Sequence, residues 1–531
     1  MPSSPGESAV RVGAAWKRID KLLGLNGNER RQSFHSFRCY HRARQMRVWG
    51  QSLRTVTLVL AASLGGGCGS QPGAGGGAGG AAGGLGGAPS MAGNSGAGGA
   101  AGQAGGTAGV AGAGGTGGAA SCAAPVAAAG HGAPTQIFAA GDDTCALFSD
   151  GTLACWGDDS AGQLGDCATT SRATAATVPG VQANYSFVMS PHKMCTVVYA
   201  PNQSAGPVVC WGPGPPTVVQ GTTLSNGVVL ADDHACTVIQ PNGAQASETA
   251  CWGDNSAGQL GDGTTTSSQA PVNAVDIPLA DVVIVGPYFN CATSGSNGTG
   301  DLWCWGLNRN GQLGDGTTTS STRSEQLNVP SIRSLAILGQ FTLAGLTDGG
   351  WLCWGTGYCG DGAPSTVARL SPTPVTLPAT LGGPVGGSQG VCVELDEDQS
   401  IWCWGSNEYG QVGDGTTTER LIPTSTGFKT QLPYRVYANA DGSSFYTLAQ
   451  YGWVYAWGRN DKGQLGDGTT TDRSTPTRVP GLSDVTQLVT GTAHVCVTTY
   501  AGAVLCWGAN QNGQVGDGTF VNRTSPVTVT F

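Results

Sequence analysis

The sequence predicts an all-β fold in which repeated blades close into a β-propeller. A Trp-Gly phrase recurs eight times between residues 135 and 531, at spacings of 41 to 55 residues, which is typical of propellers and arrays. Short apolar runs alternate with Asp-Gly and similar turns, and no sustained 3.6-residue apolar period follows residue 135. One such unit cannot bury both faces of its sheet, so the units must pack radially on one another. The tryptophans of the phrase are Trp156, Trp211, Trp252, Trp305, Trp354, Trp404, Trp457 and Trp507.

The N-terminal region is basic and contains one short apolar run. Residues 1–70 carry 11 Lys or Arg and 3 Asp or Glu. Residues 46–54 contain Arg47 and Arg54 and no acidic residue, an apolar run covers residues 56–64, and Gly65-Gly66-Gly67-Cys68 follows. A basic start, an apolar core and a small-residue end are typical of a secretory signal, and the run is short for a transmembrane helix. We hypothesise that translation starts at Met46, which makes residues 1–45 an extension outside the translated protein.

The signal segment, residues 46–68, resembles that of bacterial lipoproteins. This resemblance implies that Cys68 becomes the lipid-modified first residue of the mature chain. A plain signal peptide that is cut nearby is the alternative. Residues 69–134 follow, and they are mostly Gly and Ala with no Lys, Arg, Asp or Glu between residues 71 and 134. We expect a disordered tether, because this composition offers too little apolar surface to fold.

Residues 135–531 are expected to form blades of four antiparallel strands. Residues 144–148 and 152–156 flank the turn Ser149-Asp150-Gly151, which predicts a β-hairpin. Eight Trp-Gly units predict eight blades. Seven blades is the alternative, because the second unit departs from the others after Trp211-Gly212 and lacks the Gly-Gln-Leu-Gly-Asp loop.

The cysteines fall in pairs placed symmetrically about the hairpin turn. Such residues face each other across adjacent strands, roughly 4.5–5.5 Å apart, which is within disulfide range. Before Trp457 stands Ala456, and its mirror position holds Tyr446, so both cysteines are absent together, as a bonded pair predicts. The symmetric pairs are Cys145 and Cys155, Cys195 and Cys210, Cys236 and Cys251, Cys291 and Cys304, Cys392 and Cys403, and Cys496 and Cys506.

Four other cysteines break this symmetry. Cys353 faces Leu343, and we expect Cys359, six residues on, to be its partner instead. Cys167 replaces a loop glycine and is predicted to bond Cys122 upstream of the first blade. Buried free thiols are the alternative throughout. Disulfides would indicate an oxidising compartment, and the absence of Cys-x-x-Cys argues against metal binding.

The repeats resemble those of the regulator of chromosome condensation family, over about residues 135 to 531. The resemblance is carried by residues 141–147 (Gly-Asp-Asp-Thr-Cys-Ala-Leu), 251–255 (Cys-Trp-Gly-Asp-Asn) and 258–264 (Gly-Gln-Leu-Gly-Asp-Gly-Thr). It implies a propeller, usually of seven blades. The shared motifs are scaffold motifs, so the exchange-factor and chromatin roles of eukaryotic relatives are not carried over residue by residue.

The sequence offers no convergent catalytic constellation, so we predict a protein that is not an enzyme and that has no cofactor and no metal. His192, His234 and His494 precede paired cysteines and are interpreted as structural. The repeated loop aspartates are interpreted as turn caps, because no bidentate Glu follows at calcium-loop spacing. Nucleic acid is not expected, since the propeller region has 14 basic and 31 acidic residues, a net charge of −17. The aspartates are Asp166, Asp262, Asp315, Asp361, Asp414, Asp467 and Asp517.

These observations predict a binding scaffold of the bacterial cell envelope, at the surface or in the periplasm, whose loops recognise a protein or glycan partner. The membrane is expected to be reached through the lipid anchor. Alternatives are a cytoplasmic guanine-nucleotide exchange regulator, by family analogy, and a secreted enzyme with a site at the propeller channel. The least repetitive loops mark where a partner could bind. They are residues 185–193, 201–207, 243–248, 294–301 and 356–363.

Overall fold

The structure is a computed structural model that describes residues 128, 130–182, 187–198, 205–223, 225–239, 248–277, 280–294, 300–377, 383–395, 398–430 and 435–531. These residues form eight four-stranded antiparallel sheets, and in each sheet the strands are neighbours in chain order. The prediction of eight blades is therefore confirmed, and the alternative of seven is wrong. The second unit completes its sheet without the missing loop, because Pro213 alone separates its third and fourth strands.

The first four blades contain strands β1 to β16. Blade 1 has β1 (Gln136–Ala140), β2 (Asp143–Leu147), β3 (Thr152–Gly157) and β4 (Arg172–Gln182). Blade 2 has β5 (Phe187–Met189), β6 (Met194–Val197), β7 (Val208–Gly212) and β8 (Gly214–Val218). Blade 3 has β9 (Ser225–Leu230), β10 (His234–Ile239), β11 (Glu248–Gly253) and β12 (Ser268–Asn273). Blade 4 has β13 (Ala280–Gly286), β14 (Phe289–Ser294), β15 (Leu302–Gly306) and β16 (Ser321–Leu327).

The last four blades contain strands β17 to β32. Blade 5 has β17 (Ile332–Ile337), β18 (Phe341–Leu346), β19 (Trp351–Thr356) and β20 (Ala368–Val375). Blade 6 has β21 (Val385–Gly386), β22 (Gly390–Glu394), β23 (Ser400–Gly405) and β24 (Arg420–Lys429). Blade 7 has β25 (Val436–Ala438), β26 (Ser444–Ala449), β27 (Trp453–Gly458) and β28 (Arg473–Arg478). Blade 8 has β29 (Val485–Thr490), β30 (His494–Thr499), β31 (Val504–Gly508) and β32 (Arg523–Thr528).

The first strand of each blade lies on the inside of the ring. First strands of neighbouring blades contact one another, as β1 does with β5 and β29, and β13 with β9 and β17. The contact between β29 and β1 closes the ring. The turn between the first two strands of each blade therefore lies at one mouth of the central channel, which we call the upper mouth. The hairpin turn between the second and third strands lies at the opposite face.

Six hairpins are closed by disulfides at directly opposed register positions. In each of them the Cα atoms lie 4.1 or 4.2 Å apart, and almost all of the cysteines are buried. Blade 7 pairs Tyr446 with Ala456 at this position. The bonds join Cys145 to Cys155, Cys195 to Cys210, Cys236 to Cys251, Cys291 to Cys304, Cys392 to Cys403, and Cys496 to Cys506.

Blade 5 has a different disulfide arrangement. Leu343 faces Cys353 across the hairpin, and Cys353 bonds Cys359 in the following loop. Cys359 is fully buried and packs in the core between blades 5 and 6. Cys167 is also disulfide-bonded, but its expected partner Cys122 lies outside the described residues. Cys68, the signal segment and most of the tether lie outside them as well.

The hydrophobic core lies between neighbouring blades. Leu147 and Leu164 of blade 1 pack against Phe187 and Trp211 of blade 2, and equivalent clusters recur around the ring. Within the described ranges the helical structure is one 3₁₀ turn, Gln450–Gly452. In the part of the chain that the structure describes, no helix is long and apolar enough to cross a membrane.

Candidate binding surface

Six of the eight Trp-Gly tryptophans join their blade to the preceding one by a hydrogen bond. Each of six indole N–H groups donates to a backbone carbonyl in the preceding blade, at 2.8–3.0 Å, and most of these carbonyls belong to the loop glutamine. Their rings are fully buried. The tryptophans therefore hold the ring together and are not available to a ligand. The six donors are Trp156, Trp305, Trp354, Trp404, Trp457 and Trp507.

The repeated loop is organised by one buried asparagine. In blade 3, Asn255 Nδ2 donates to the carbonyls of Thr264 and Thr266, each at 3.1 Å, and Asn255 Oδ1 accepts from Leu260 N at 2.9 Å. Asp262 accepts hydrogen bonds from the Thr264 amide and hydroxyl, so the aspartate is a turn cap. The same network surrounds Asn308, Asn407, Asn460 and Asn510.

Most of the loop aspartates also pair with an arginine. In blade 6, Arg420 Nε lies 2.7 Å from Asp414 Oδ2. Burial raises the pKa of Asp414, but the hydrogen bonds from Thr416 and Arg420 outweigh this effect, so the pKa lies below its ordinary value. Equivalent ion pairs join Arg172 to Asp166, Arg369 to Asp361, Arg473 to Asp467, and Arg523 to Asp517. These carboxylates are therefore occupied by the scaffold.

Two histidines bridge neighbouring blades. His234 Nε2 lies 2.7 Å from Asn290 Oδ1 of blade 4, and His494 Nε2 lies 2.8 Å from Thr144 Oγ1 of blade 1. Both histidines are fully buried or nearly so. A substrate cannot reach the Thr144 hydroxyl, although its distance from an imidazole would suit a nucleophile and its base. His192 does not share this position, because it lies in the turn before β6 and is exposed.

Acidic side chains gather at the upper mouth in blade 1. We call Asp142, Asp143, Asp158 and Asp159 the blade 1 acid cluster. Burial raises the pKa of Asp142, and burial together with the charge of Asp158 raises the pKa of Asp143 well above its ordinary value. Asp143 is fully buried, and within the described part of the chain neither of its carboxylate oxygens has a hydrogen-bond partner of good geometry, while the nearby Gln163 amide opposes the rise of its pKa.

Asp159 stands where five other blades carry the loop asparagine. Its Oδ1 accepts from Leu164 N at 2.9 Å, as the asparagines do, but its Oδ2 has no partner. An ionised carboxylate cannot donate to Asp166 as the amide does. Burial and the nearby charge of Asp166 raise the pKa of Asp159 to about 7.

The polar sector continues into blades 2 and 3. Gln163 Nε2 donates to Asp158 Oδ2 at 3.0 Å and approaches the Pro191 carbonyl of blade 2 at 3.3 Å. Lys193 follows, and it faces Asp232 and Asp233 of blade 3. Burial lowers the pKa of Lys193 against the opposing effect of these two carboxylates. Blades 4 and 5 place Phe289 and Phe341 at the strand starts where blades 1 and 3 place Asp143 and His234.

One of the five irregular loops is described completely. In the loop at residues 356–363, the buried Arg369 side chain donates to the carbonyls of Gly357, Val367 and Ala363 and pairs with Asp361. This arginine replaces the missing asparagine as the organiser of a shortened loop, a role that the sequence pattern did not reveal. The other four loops include residues outside the described ranges.

A second exposed surface lies beside the hairpin turn of blade 7. Trp303 and Trp351 are buried, whereas Trp453 is partly exposed and lies beneath Arg478, whose guanidinium carbon is 4.2 Å from the ring centroid. Tyr451 packs beside Trp453, and its own side chain is 64% exposed. These residues add an aromatic edge at the face opposite the acid cluster.

The eight closed sheets and their stapled hairpins define the class: an eight-bladed β-propeller with a polar sector at one mouth. A family model described as Regulator of chromosome condensation (RCC1) repeat matches residues 299–339, 398–437, 451–498 and 501–531. A second model of the same repeat matches residues 485–514. The chain is therefore similar to this repeat family in its second half.

Curated relatives share part of the chain. The ultraviolet-B receptor UVR8 of Arabidopsis thaliana is 30% identical over 218 residues, which are 38% of this chain and 47% of that protein. The E3 ubiquitin-protein ligase HERC2 of Homo sapiens is 28% identical over 266 residues, which are 47% of this chain and 5% of that protein. The chain thus spans less than half of the length of each.

Solved structures cover more of the chain at lower identity. Prp20p of Saccharomyces cerevisiae is 17% identical, covers 72% of this chain and 87% of its own, and gives a TM-score of 0.49. Human WBSCR16 is 18% identical, covers 72% of this chain and 94% of its own, and gives a TM-score of 0.48.

Proposed function

We propose that the protein is a non-catalytic binding scaffold of a bacterial cell envelope, whose propeller loops recognise a protein partner. Lipid-modified Cys68 and the Gly/Ala-rich tether would hold the propeller near the membrane. The observation that carries this proposal is the contrast between interior and mouth. Most blades share the tryptophan, asparagine and disulfide contacts, yet exposed or half-buried charged side chains gather at the upper mouth in blades 1 to 3, whereas blades 4 and 5 bury Phe289 and Phe341 at the equivalent strand starts.

The partner class follows from the available groups. The well-placed histidine and hydroxyl of the seam between blades 8 and 1 are sealed in the core, so the exposed polar groups of the mouth recognise a ligand without transforming it. Seven disulfides within the described residues fit an oxidising compartment. The relatives above are receptors and ligases by name, and their whole-protein activities are not carried over to this chain.

The test is partner capture from the native envelope with the full-length chain. A photo-crosslinking residue at His192, which is exposed at the upper mouth, should capture a discrete protein. The same residue at Glu408, exposed in the blade 6 loop, serves as the control. Capture of a glycan alone would replace the protein partner with a carbohydrate. Free thiols in freshly isolated protein, together with accelerated nucleotide release from a small GTPase, would replace the proposal with the exchange-factor role.

A further inference from the structure

Three members of the blade 1 acid cluster have no matching cation, and Arg172, the cation nearest to the fourth member Asp159, pairs with Asp166. Among the described residues, no Lys or Arg side chain lies within ion-pair distance of Asp142, Asp143 or Asp158. The loop aspartates of five blades, by contrast, each have an arginine. Four carboxylates in one enclosed place repel one another, so this cluster destabilises the free protein unless a positive charge joins it.

A second observation points to a missing partner at the same place. Asp143 is 0% exposed, and among the described residues neither of its oxygens has a hydrogen-bond partner of good geometry, although Gln163 lies close enough to oppose the rise of its pKa. Buried carboxylates are almost always paired. Asp159 Oδ2, in the loop of the same blade, also lacks a hydrogen-bond partner among the described residues. Asp142, which is close enough to Asp143 to raise the pKa of that residue, is half-buried, and its Oδ2 accepts from Asn512 Nδ2 at 3.1 Å. Asp142 is therefore an accessible member of the cluster.

We infer that the blade 1 acid cluster binds one positively charged side chain, arginine or lysine, of the partner protein. The inference rests on the proposed function, because it assumes that a protein docks at the upper mouth. Asp142 would contact the cation, and the charges of Asp143 and Asp158 behind it would strengthen the attraction in a poorly hydrated site.

A side-chain cation fits this site better than a metal ion does. Among the described residues, no group of three or more His, Cys, Asp or Glu side chains is arranged to hold a metal. The oxygens of Asp158 are already used, since they accept from Ser160, Gln163 and Ser171. Calcium needs six to eight oxygen ligands, whereas a guanidinium or ammonium group is satisfied by one or two carboxylates.

The first experiment measures binding of a hexa-arginine peptide to the full-length chain, with the hexa-citrulline peptide as the uncharged control. Asp142→Asn combined with Asp143→Asn should weaken arginine-peptide binding at least tenfold. Asp301→Asn combined with Glu408→Gln removes the same formal charge from exposed sites in blades 4 and 6 and should weaken it less than twofold. Equal weakening by the two double variants, or no binding by the wild type, would overturn the inference. Thermal melts check folding, and the single variant Asp142→Asn keeps the test valid if the double variant unfolds.

Two further readouts separate a real site from general attraction to an acidic protein. Wild-type binding should tighten as the pH rises from 6 to 8, because burial raises the pKa of Asp159 to about 7 and the arriving cation must displace its proton; Asp159→Asn should flatten this dependence. Competition by millimolar calcium that disappears in Asp142→Asn would assign the site to a metal instead. Other groups facing the cluster are Thr492, His494, Asn512 and Gln514 of blade 8, the Pro191 carbonyl of blade 2, and Gln163, Asp166 and Arg172 of blade 1.

The partner capture described above distinguishes the two levels of the proposal. If the wild type captures a protein and Asp142→Asn captures it equally well, the scaffold function stands and the cation site falls. If the acid variants selectively lose the arginine peptide while no protein is captured at the upper mouth, the site stands and the proposed function falls.

Discussion

His494 shows how one residue makes the seam between blades 8 and 1 sensitive to acid. Burial lowers its pKa to about 4, against an ordinary value of 6.5, so the ring is neutral when it meets Thr144 Oγ1. The unfolded chain then binds a proton that the folded chain does not bind between pH 6.5 and 4. Stability is therefore lost as pH falls through this window, by about 3 kcal/mol in total if the shift is fully expressed.

We predict that His494→Gln flattens this pH dependence while lowering stability at pH 7.5. Urea denaturation of both proteins at pH 7.5 and pH 4.5 measures the effect as the difference between their free energies of unfolding. The acids whose pKa values are raised act in the opposite direction, so the variant must be compared with wild type at each pH. His131→Gln is the control, because that histidine pairs with Asp150 at the surface. A wild type and a His494→Gln variant that respond equally to pH would contradict the prediction.

Asp159 affects the pH dependence of stability in the opposite direction to His494. Its folded pKa of about 7 lies above the ordinary 3.8, so the folded chain binds the extra proton. The associated stability is fully present below about pH 4 and is lost as pH rises through 7. We predict that Asp159→Asn, which restores the amide found in the other loops, raises the urea midpoint at pH 8.5 and raises it much less at pH 5. Asn255→Asp in blade 3 should do the reverse and lower the urea midpoint more at pH 8.5 than at pH 5. If Asp159→Asn raised the midpoint equally at both pH values, an ionised buried carboxylate would not be the cause.

At the scale of the element, the hairpin is the unit that the disulfides stabilise. Cys291 and Cys304 enclose a separation of 13 residues, for which loop closure contributes about 3 kcal/mol. We predict that replacing both by alanine lowers the free energy of unfolding by about 2–4 kcal/mol. The matched control is Cys353→Ala with Cys359→Leu, which opens a separation of six residues and places at 359 the leucine that Leu313 provides in blade 4. This control should lose less, as measured by denaturant unfolding without reductant.

The hairpins also show which features a sequence can predict. Cys145 and Cys155 stand symmetrically about an Asp-Gly turn, so local strand geometry is enough to pair them. The pairing of Cys353 with Cys359 could be expected because Leu343 left no symmetric partner. The organising role of Arg369 could not be predicted from the sequence, because it depends on where the shortened loop places its carbonyl groups.

Contacts between blades could not be predicted from the sequence for a different reason. Thr144 and His494 are 350 residues apart, and they meet because an eight-membered ring closes at that point. The isolation of Asp143 likewise depends on what packs around it from blade 8 and from its own loop. Repeat counting gives the number of blades, but the charge pattern at the mouth appears once the ring has placed blades 8, 1, 2 and 3 side by side.

At the scale of the whole molecule, the ring closes without a sheet that combines both ends of the chain. Blade 1 is built from β1 to β4 and blade 8 from β29 to β32. Gln487 compensates across the seam, because its Oε1 accepts from Ile137 N at 3.0 Å and its Nε2 donates to Ile137 O at 2.7 Å. Its side-chain amide thus replaces a strand partner for β1.

We therefore predict that Gln487→Ala speeds hydrogen exchange of the Ile137 amide and its neighbours in β1 more than exchange in blade 5. Leaving two buried backbone groups unpaired costs about 1–3 kcal/mol each, and the loss should concentrate at the seam. Thr486→Ala, on the same strand, changes an exposed side chain and is the control. Uniform loss of protection across all blades would show that the ring unfolds as one unit and that the seam is not its weakest point.

The tether gives the last prediction, because it links the fold to the proposed location. Cys167 is disulfide-bonded, and its partner is none of the 14 cysteines in the seven bonds above, because each of those is already bonded. Ala128 N approaches the Ala175 carbonyl of β4 at 3.4 Å, and Cys122 stands six residues before Ala128 in the sequence. If Cys68 carries lipid, its sulfur cannot form a disulfide with Cys167.

We predict that envelope material yields a mature chain that begins at lipidated Cys68, has no free thiols, and gives a Cys122–Cys167 crosslinked peptide in mass spectrometry. The Cys68→Ser variant should lose the lipid mass and keep the crosslink. An unprocessed chain whose cysteines react with iodoacetamide in the native state would contradict both the anchor and the oxidising compartment.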